Sequence, residues 1–368
     1  MATPSPPTRS SAGTTEAARP TLCIINYNGE THLRQSLPAA VAQADLFAEI
    51  LLVDNGSSDG SVAFVEQHFP MVRILRLPDN RGAGAARNAG IREAASDRIL
   101  MLDNDVVLLD GCAEALAASL DAHPTAAAAA ATVLYARNPT IVQYDGADSH
   151  YLGLMILQNA DRPLAERQAS VRFTNSLVTC CFMLDRRRIP PGVQFDEDYF
   201  YIAEDHDFGL QLREAGCEIL AVPHAYVLHG DGTAELSIRQ LGGYSRLRVL
   251  CTIRNRWLIL AKHYAARTLL VLAPMLLLYE LVQLAAVIKK GWWREWCEAA
   301  RWMIRHLPET LDKRRRIQQQ RRLPDRAILV GGPLPLRPEL VTSSGERLAR
   351  RMLDWLVSSY WRIVARMI

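Results

Sequence analysis

The sequence predicts an α/β protein with a mostly parallel central sheet, followed by a separate helical region. Three observations carry this expectation. Between Thr21 and Val222, short runs that are apolar on both faces alternate with segments of helical period. That is the pattern of parallel strands covered by helices on both sides. The chain has 368 residues, 49% hydrophobic and 22% charged, which suits a large core and excludes a disordered tail, a collagen or a small disulfide scaffold. Beyond about residue 245 the composition turns basic and aromatic.

Residues 1–19 are rich in Pro, Ser, Thr and Ala, lack a continuous apolar run, and read as a disordered leader. Thr21–Ile25 is a β-branched apolar run that suits a buried strand, and Asn26–Gly29 is turn chemistry. Residues 31–47 carry helical spacing, with Leu33, Leu37, Val41 and Phe47 toward a core. Glu49–Val53 is a second buried strand, stopped by Asp54–Gly60. A helix at 61–68, a strand Val72–Leu77, an Ala-rich helix at 82–95 and a strand Arg98–Leu102 follow. A helix after Leu109 closes at His123-Pro124. The six alanines 126–131 favour helix by propensity, but Thr132–Leu134 tips them to strand. Residues 140–172 show no clean period. Val178–Leu184 and Glu218–Val222 read as strands, and Glu204–Ala215 as a helix ended by Gly216.

A net charge of +3 is too small for a whole-protein nucleic-acid binder, and no nucleic-acid partner is expected. The seven cysteines have no zinc-like spacing and read as reduced, mostly buried thiols of a cytosolic protein.

The division of the chain is a domain over 20–245, a basic and apolar helical region over 246–330, a linker over 331–345 and an amphipathic helix over 346–368. Thr268–Ile288 is long enough to span a bilayer, but Glu280, Gln283 and basic flanks on both sides favour an interfacial or re-entrant segment over a single span or a buried helix. In the last helix, Leu348, Met352, Trp355, Leu356, Ile363 and Met367 share one face, with basic residues on the other. Such helices lie on anionic membrane surfaces. The alternative is packing against the rest of the chain or against a second copy, which leaves a homo-oligomer open.

Three acidic sites follow predicted strands or open a predicted helix: Asp54, Asp103-Asn104-Asp105, and Glu204-Asp205-His206-Asp207. In open α/β sheets ligands bind at the carboxyl edge. Each site alone is explained by turn or capping chemistry. Together on one edge they would repel unless a cation or ligand joined them. Asp-x-Asp after a buried strand suits Mg²⁺ or Mn²⁺ shared with substrate phosphates, which points to a nucleotide-diphosphate substrate.

Five segments in order carry a family resemblance: Ile24–Gly29, Val53–Ser61, Asn80–Gly82 with Arg87–Gly90, Leu102–Val106, and Phe195–Phe200 followed by Glu204–Asp207 and Leu212–Gly216. Over roughly 20–265 the chain closely resembles the family 2 glycosyltransferases, in particular the bacterial rhamnosyltransferase-like branch. The resemblance implies a GT-A fold, an inverting mechanism and a nucleotide-sugar donor. It implies that Asn26 and Tyr27 line the nucleotide pocket, Asp54 contacts the nucleobase, and Asn80 and Arg81 close over the nucleotide. Glu204 falls in the donor site as well. Asp105 is implied as the metal ligand, Asp103 as ligand to ribose or metal, His229 as a group near the diphosphate or metal, and Asp205 as the general base. Arg254-Asn255-Arg256 matches a basic motif with no role attached. Two departures stand out. Both residues of the Asp-x-Asp are acidic where the family often has a neutral first one, and Gly230-Asp-Gly-Thr follows His229 where a Gly-Ser turn is usual.

The expectation is therefore a metal-dependent inverting glycosyltransferase on the cytosolic face of a bacterial membrane, acting on a hydroxyl of a glycan or lipid-linked glycan. Two alternatives stay open: a polyprenyl-phosphate glycosyltransferase, and a non-catalytic nucleotide-sugar-binding subunit of a membrane assembly.

Overall fold

The computed structural model describes residues 19–230, 245–335 and 344–368. The expected leader, the turn after His229 and most of the 331–345 linker therefore fall outside the described residues, Arg19 and the linker ends apart. The first half runs β1 (Thr21–Asn26), α1 (Glu30–Val41), β2 (Glu49–Asp54), α2 (Ser61–His68), β3 (Arg73–Arg76), α3 (Ala83–Glu93), β4 (Arg98–Asp103), β5 (Val106–Leu108) and α4 (Cys112–Ala122). Next come β6 (Ala126–Tyr135), β7 (Asn138–Tyr144), β8 (Ala147–His150), β9 (Leu154–Leu157), β10 (Arg162–Pro163), β11 (Arg172–Thr174) and β12 (Cys181–Asp185). The rest is α5 (Glu204–Glu214), β13 (Glu218–His229), α6 (Arg246–His263), α7 (Ala266–Lys290), α8 (Trp293–Arg305), α9 (Leu307–Gln320), β14 (Leu329–Val330) and α10 (Ser344–Val364).

The main sheet has the order β10-β7-β6-β12-β4-β1-β2-β3. It is parallel from β4 through β3, as expected, and antiparallel from β4 through β12 to β10. Alternate residues of β1 feed two cores. Leu22 and Ile24 join Leu33, Leu37, Leu52 and Leu116 on one face. Cys23 and Ile25 join Leu51, Val53, Ala86, Met101 and Phe208 on the other. Burial on both faces explains why these strands read as continuous apolar runs.

The six alanines lie in β6, fully inside the sheet between β12 and β13. Pairing on both sides overrides their helix propensity. α1 stops at Val41, and Phe47 reaches the core from extended backbone after a short 3₁₀ turn. The segment without a clean period is a set of short hairpin strands, and β8, β9 and β14 form a second small sheet.

Register places the site. Asn26 pairs with Asp54 across β1 and β2, and Ile25 pairs with Asp103 across β1 and β4. The first two acidic sites therefore share one edge, directly beside Asn26.

Candidate active site

Asn26 is fully buried and acts as the hub of the first strand end. Its Nδ2 donates to Asp54 Oδ1 (3.0 Å), Ser61 Oγ (2.9 Å) and Ser57 Oγ (3.2 Å), and its Oδ1 accepts from Asn104 Nδ2 (2.9 Å). Asp54 is buried too, and its Oδ2 accepts from Ser57 N at 3.1 Å. These two residues brace the loop, while Tyr27 beside them is only half-buried.

Asn80 Oδ1 accepts from Gly82 N and Asn55 Nδ2, both at 2.9 Å, which tightens the turn into α3. Gly82 has φ +88°, and a Cβ there would lie 2.3 Å from the Phe200 carbonyl oxygen. Only glycine permits that approach. Arg81 reaches the same segment and pairs with Glu197 at 2.6 Å.

Arg87 on α3 is the buried cation of the site. It binds Asp103 at 2.8 Å and Glu204 at 3.1 Å. One guanidinium thus ties the end of β4 to the start of α5. Both carboxylates hold its proton more firmly than usual, against the cost of burial. Burial pushes Asp103 above the ordinary carboxylate range; Arg87 pulls it back, and neighbouring Asp105 adds to the rise. Glu204 Oε2 is buried and accepts no hydrogen bond among the described residues.

Asp205 follows on the first turn of α5, partly exposed, its Oδ1 accepting from His206 N at 2.8 Å. Desolvation, reinforced by the Glu204 charge, pushes its carboxyl up to about 7. His206 points the other way, is buried, and shares a 2.9 Å hydrogen bond with Ser149 Oγ.

Antiparallel pairing of β5 with β13 sets His229 opposite Val106. That register brings His229 Nε2 to 3.2 Å from Asp105 Oδ2. Nδ1 lies 2.7 Å from Gln143 Oε1, which directs Nε2 to the carboxylate. Burial disfavours the imidazolium, but Asp105 outweighs it and lifts His229 to about 9.

Of the expected metal ligands, Asp105 and His229 meet directly, whereas Asp103 is engaged by Arg87. Among the described residues no three His, Cys, Asp or Glu side chains converge as a cage. The two carboxylates Asp105 and Asp103 still suit a hard divalent cation, because Mg²⁺ is held by one or two carboxylates and completes its shell with water and phosphate oxygens, whereas His229 held as an imidazolium offers it no lone pair.

Residues 21–189 match the sequence profile of glycosyl transferase family 2. That match covers just under half of the chain and marks it as a glycosyltransferase. The chain is similar to the N-acetylglucosaminyl-diphospho-decaprenol L-rhamnosyltransferase of Mycobacterium tuberculosis, 28% identical over 229 residues, which cover 56% of this chain and 74% of that one. A shorter stretch of 86 residues is 37% identical to the succinoglycan biosynthesis protein ExoO of Rhizobium meliloti and covers 23% of this chain and 25% of that one. Among solved structures, GalNAc-T7 with UDP, GalNAc and Mn²⁺ superposes with a TM-score of 0.52 at 14% identity, over 66% of this chain and 48% of that one. That likeness shows the GT-A fold.

The glycosyltransferase also has site residues that the sequence motifs left without a role. Phe200, Ile202 and Ala203, just before α5, all have positive φ (56°, 67° and 67°). Such backbone costs about 1–3 kcal/mol per residue and persists only where the surroundings hold it. Here Asn255 Nδ2 donates to the carbonyls of Tyr199 (3.1 Å), Tyr201 (2.8 Å) and Ile202 (2.6 Å). Arg254 donates to the carbonyls of Asp198 (2.8 Å) and Tyr199 (2.9 Å). The basic motif on α6 therefore clamps the strained segment that leads into α5. Asn88 does the same one step earlier, exchanging hydrogen bonds with Phe195 N and O.

Proposed function

We propose that this glycosyltransferase moves a sugar from a nucleoside-diphosphate donor to a hydroxyl of a glycan or lipid-linked glycan, with inversion, at a membrane surface. The observation that carries the reading is the position of Asp205: a carboxylate raised to about 7, on the helix that Arg87 ties to Asp103. The mycobacterial relative, whose name gives a lipid-diphosphate-linked acceptor, supports the acceptor class.

An alcohol attacks poorly while it keeps its proton. Asp205 accepts that proton as the anomeric bond breaks, and a base tuned near neutral pH does so most effectively. A single base on the face opposite the leaving group gives one displacement and hence inversion. Glu204 Oε2, which lacks a donor, is the acceptor for a sugar or ribose hydroxyl. Asn26, Tyr27, Asp54, Asn80 and Arg81 build the nucleotide side of the cleft, and Asp103 lies at its floor for ribose or metal. Mg²⁺ or Mn²⁺, held by Asp105 with His229 and Asp103 beside it, would neutralise charge on the departing diphosphate.

Isothermal titration with UDP, GDP and dTDP, with and without Mn²⁺, tests this reading. One nucleotide should bind at least tenfold tighter with Mn²⁺, and Asp105→Ala should abolish that difference. Equal metal dependence in wild type and variant rejects the metal role.

A further inference from the structure

Among the described residues of the glycosyltransferase one helix, α7, is long and apolar enough to cross a bilayer. We infer that α7 does not cross but lies in the plane of one leaflet, as the centre of a lipid-facing platform made with α8 and α10. This rests on the membrane reading above and fixes the side and orientation that the reading leaves open.

The reason lies in α6. Its polar residues Arg254, Asn255, Arg256, Lys262 and His263 are all buried. Asn255 and Arg254 hold the segment before α5, and Lys262 and His263 bond Asp207 on α5 itself at 2.5 and 2.7 Å. α6 therefore belongs to the catalytic body and stays out of lipid.

α7 follows after a two-residue connection and returns along α6. Glu280 accepts from both Arg256 and Trp257 Nε1 on α6, and the Arg256 guanidinium sits 4.2 Å from the Tyr279 ring centroid. Near the far end, Val287 packs in one cluster with Val249 and Ile253 from the start of α6. At the near end, Ala265 N donates to Asp325 Oδ2. Both ends and the middle are thus fastened to the same soluble body. A helix of this length that spanned would carry its far end about 35 Å away, across the bilayer. It would also strip Arg256 and Glu280 of each other inside lipid.

The opposite face of α7 has no such partners. Leu270, Pro274, Leu277, Leu281, Ala285 and Ile288 are exposed and follow helical spacing along one stripe. Leu270, Leu277, Leu281 and Ile288 are each more than 60% exposed. α10 is fastened to α7 by Tyr360, whose hydroxyl donates to the Val271 carbonyl at 2.5 Å. It adds Met352, Trp355 and Ile363, and α8 adds Trp293 and Ile304, all exposed. Exposed cations flank this apolar surface, including Arg267, Lys289, Lys290, Arg301, Arg351 and Arg362. Apolar residues rimmed by cations match the interface of an anionic bilayer.

The test uses the full chain in sealed inverted membrane vesicles, with cysteines introduced singly at the exposed flanks by Arg267→Cys and Lys290→Cys. A membrane-impermeant maleimide should label both from the outside without detergent. Labelling of one flank only, with the other appearing after detergent, overturns the in-plane orientation and leaves the membrane reading standing. A second measurement is flotation with phosphatidylglycerol-containing vesicles. Leu277→Glu combined with Leu281→Glu should weaken binding at least tenfold while leaving nucleotide affinity unchanged. A wild-type chain that stays off vesicles and runs as a dimer through this face overturns both readings.

Discussion

The proposed chemistry rests on one ionisable group, Asp205. Its carboxyl is raised from the ordinary 3.8 to about 7, so the proton-accepting form accumulates as pH rises through about 7. Transfer rates at saturating substrate should therefore climb with unit slope below about pH 7 and level off above it. A flat profile from pH 5 to 8 would contradict the role of Asp205 as base. Asn255 makes a second residue-scale prediction. Asn255→Ala removes three hydrogen bonds from backbone held at positive φ, so it should cost about 1–3 kcal/mol of stability, seen as a lower urea midpoint. It should also lower kcat more than donor affinity. The placement of Asp205 in the first turn of α5 was legible from the sequence as part of Glu204-Asp205-His206-Asp207. The role of Asn255 was not, because its partners are main-chain carbonyls more than 50 residues away, and a carbonyl leaves no residue-type signal.

At the scale of elements, the contact between α5 and α6 decides how α5 is held. Asp207 sits on α5 beneath Asp205 and is fully buried, bonded by Lys262 and His263; Lys262 also binds Asp196, and His263 also binds Glu214. Burial works against the His263 charge, but Glu214 and Asp207 overcome it and raise the imidazole to about 9. The unfolded value is about 6.5. The stabilisation is therefore fully present below about pH 6.5 and is lost as pH climbs through about 9. Melting temperature should fall over that window, and His263→Gln should flatten this part of the profile. Removing one partner of a buried pair leaves the other charged and unpaired, which costs about 3–5 kcal/mol. Lys262→Met should therefore lower the urea midpoint far more than Lys313→Met, whose ammonium is partly exposed. The strands and helices of the first half were legible because parallel strands buried on both faces leave continuous apolar runs. β7 to β10 were not, because strands of two to seven residues are too short to show a period.

Across the whole molecule, a GT-A domain and a helical region are joined through buried polar residues. The sequence suggested separate regions because composition changes near residue 245. The ion pairs that join them lie 49 to 66 positions apart, beyond the reach of any local pattern. Shared register brings Asn26, Asp54 and Asp103 to one edge, and Arg87 draws Glu204 to it, with Asp205 next in the chain. The proposed donor site and the proposed base therefore form one unit that the helical region steadies from behind. The most direct measurement is single-turnover transfer by Asp205→Asn beside wild type, with nucleotide affinity measured on the same samples. Transfer should fall by about 10²–10⁴-fold, the usual contribution of a general base, while nucleotide affinity stays within twofold. Transfer within tenfold of wild type would show that another group takes the proton.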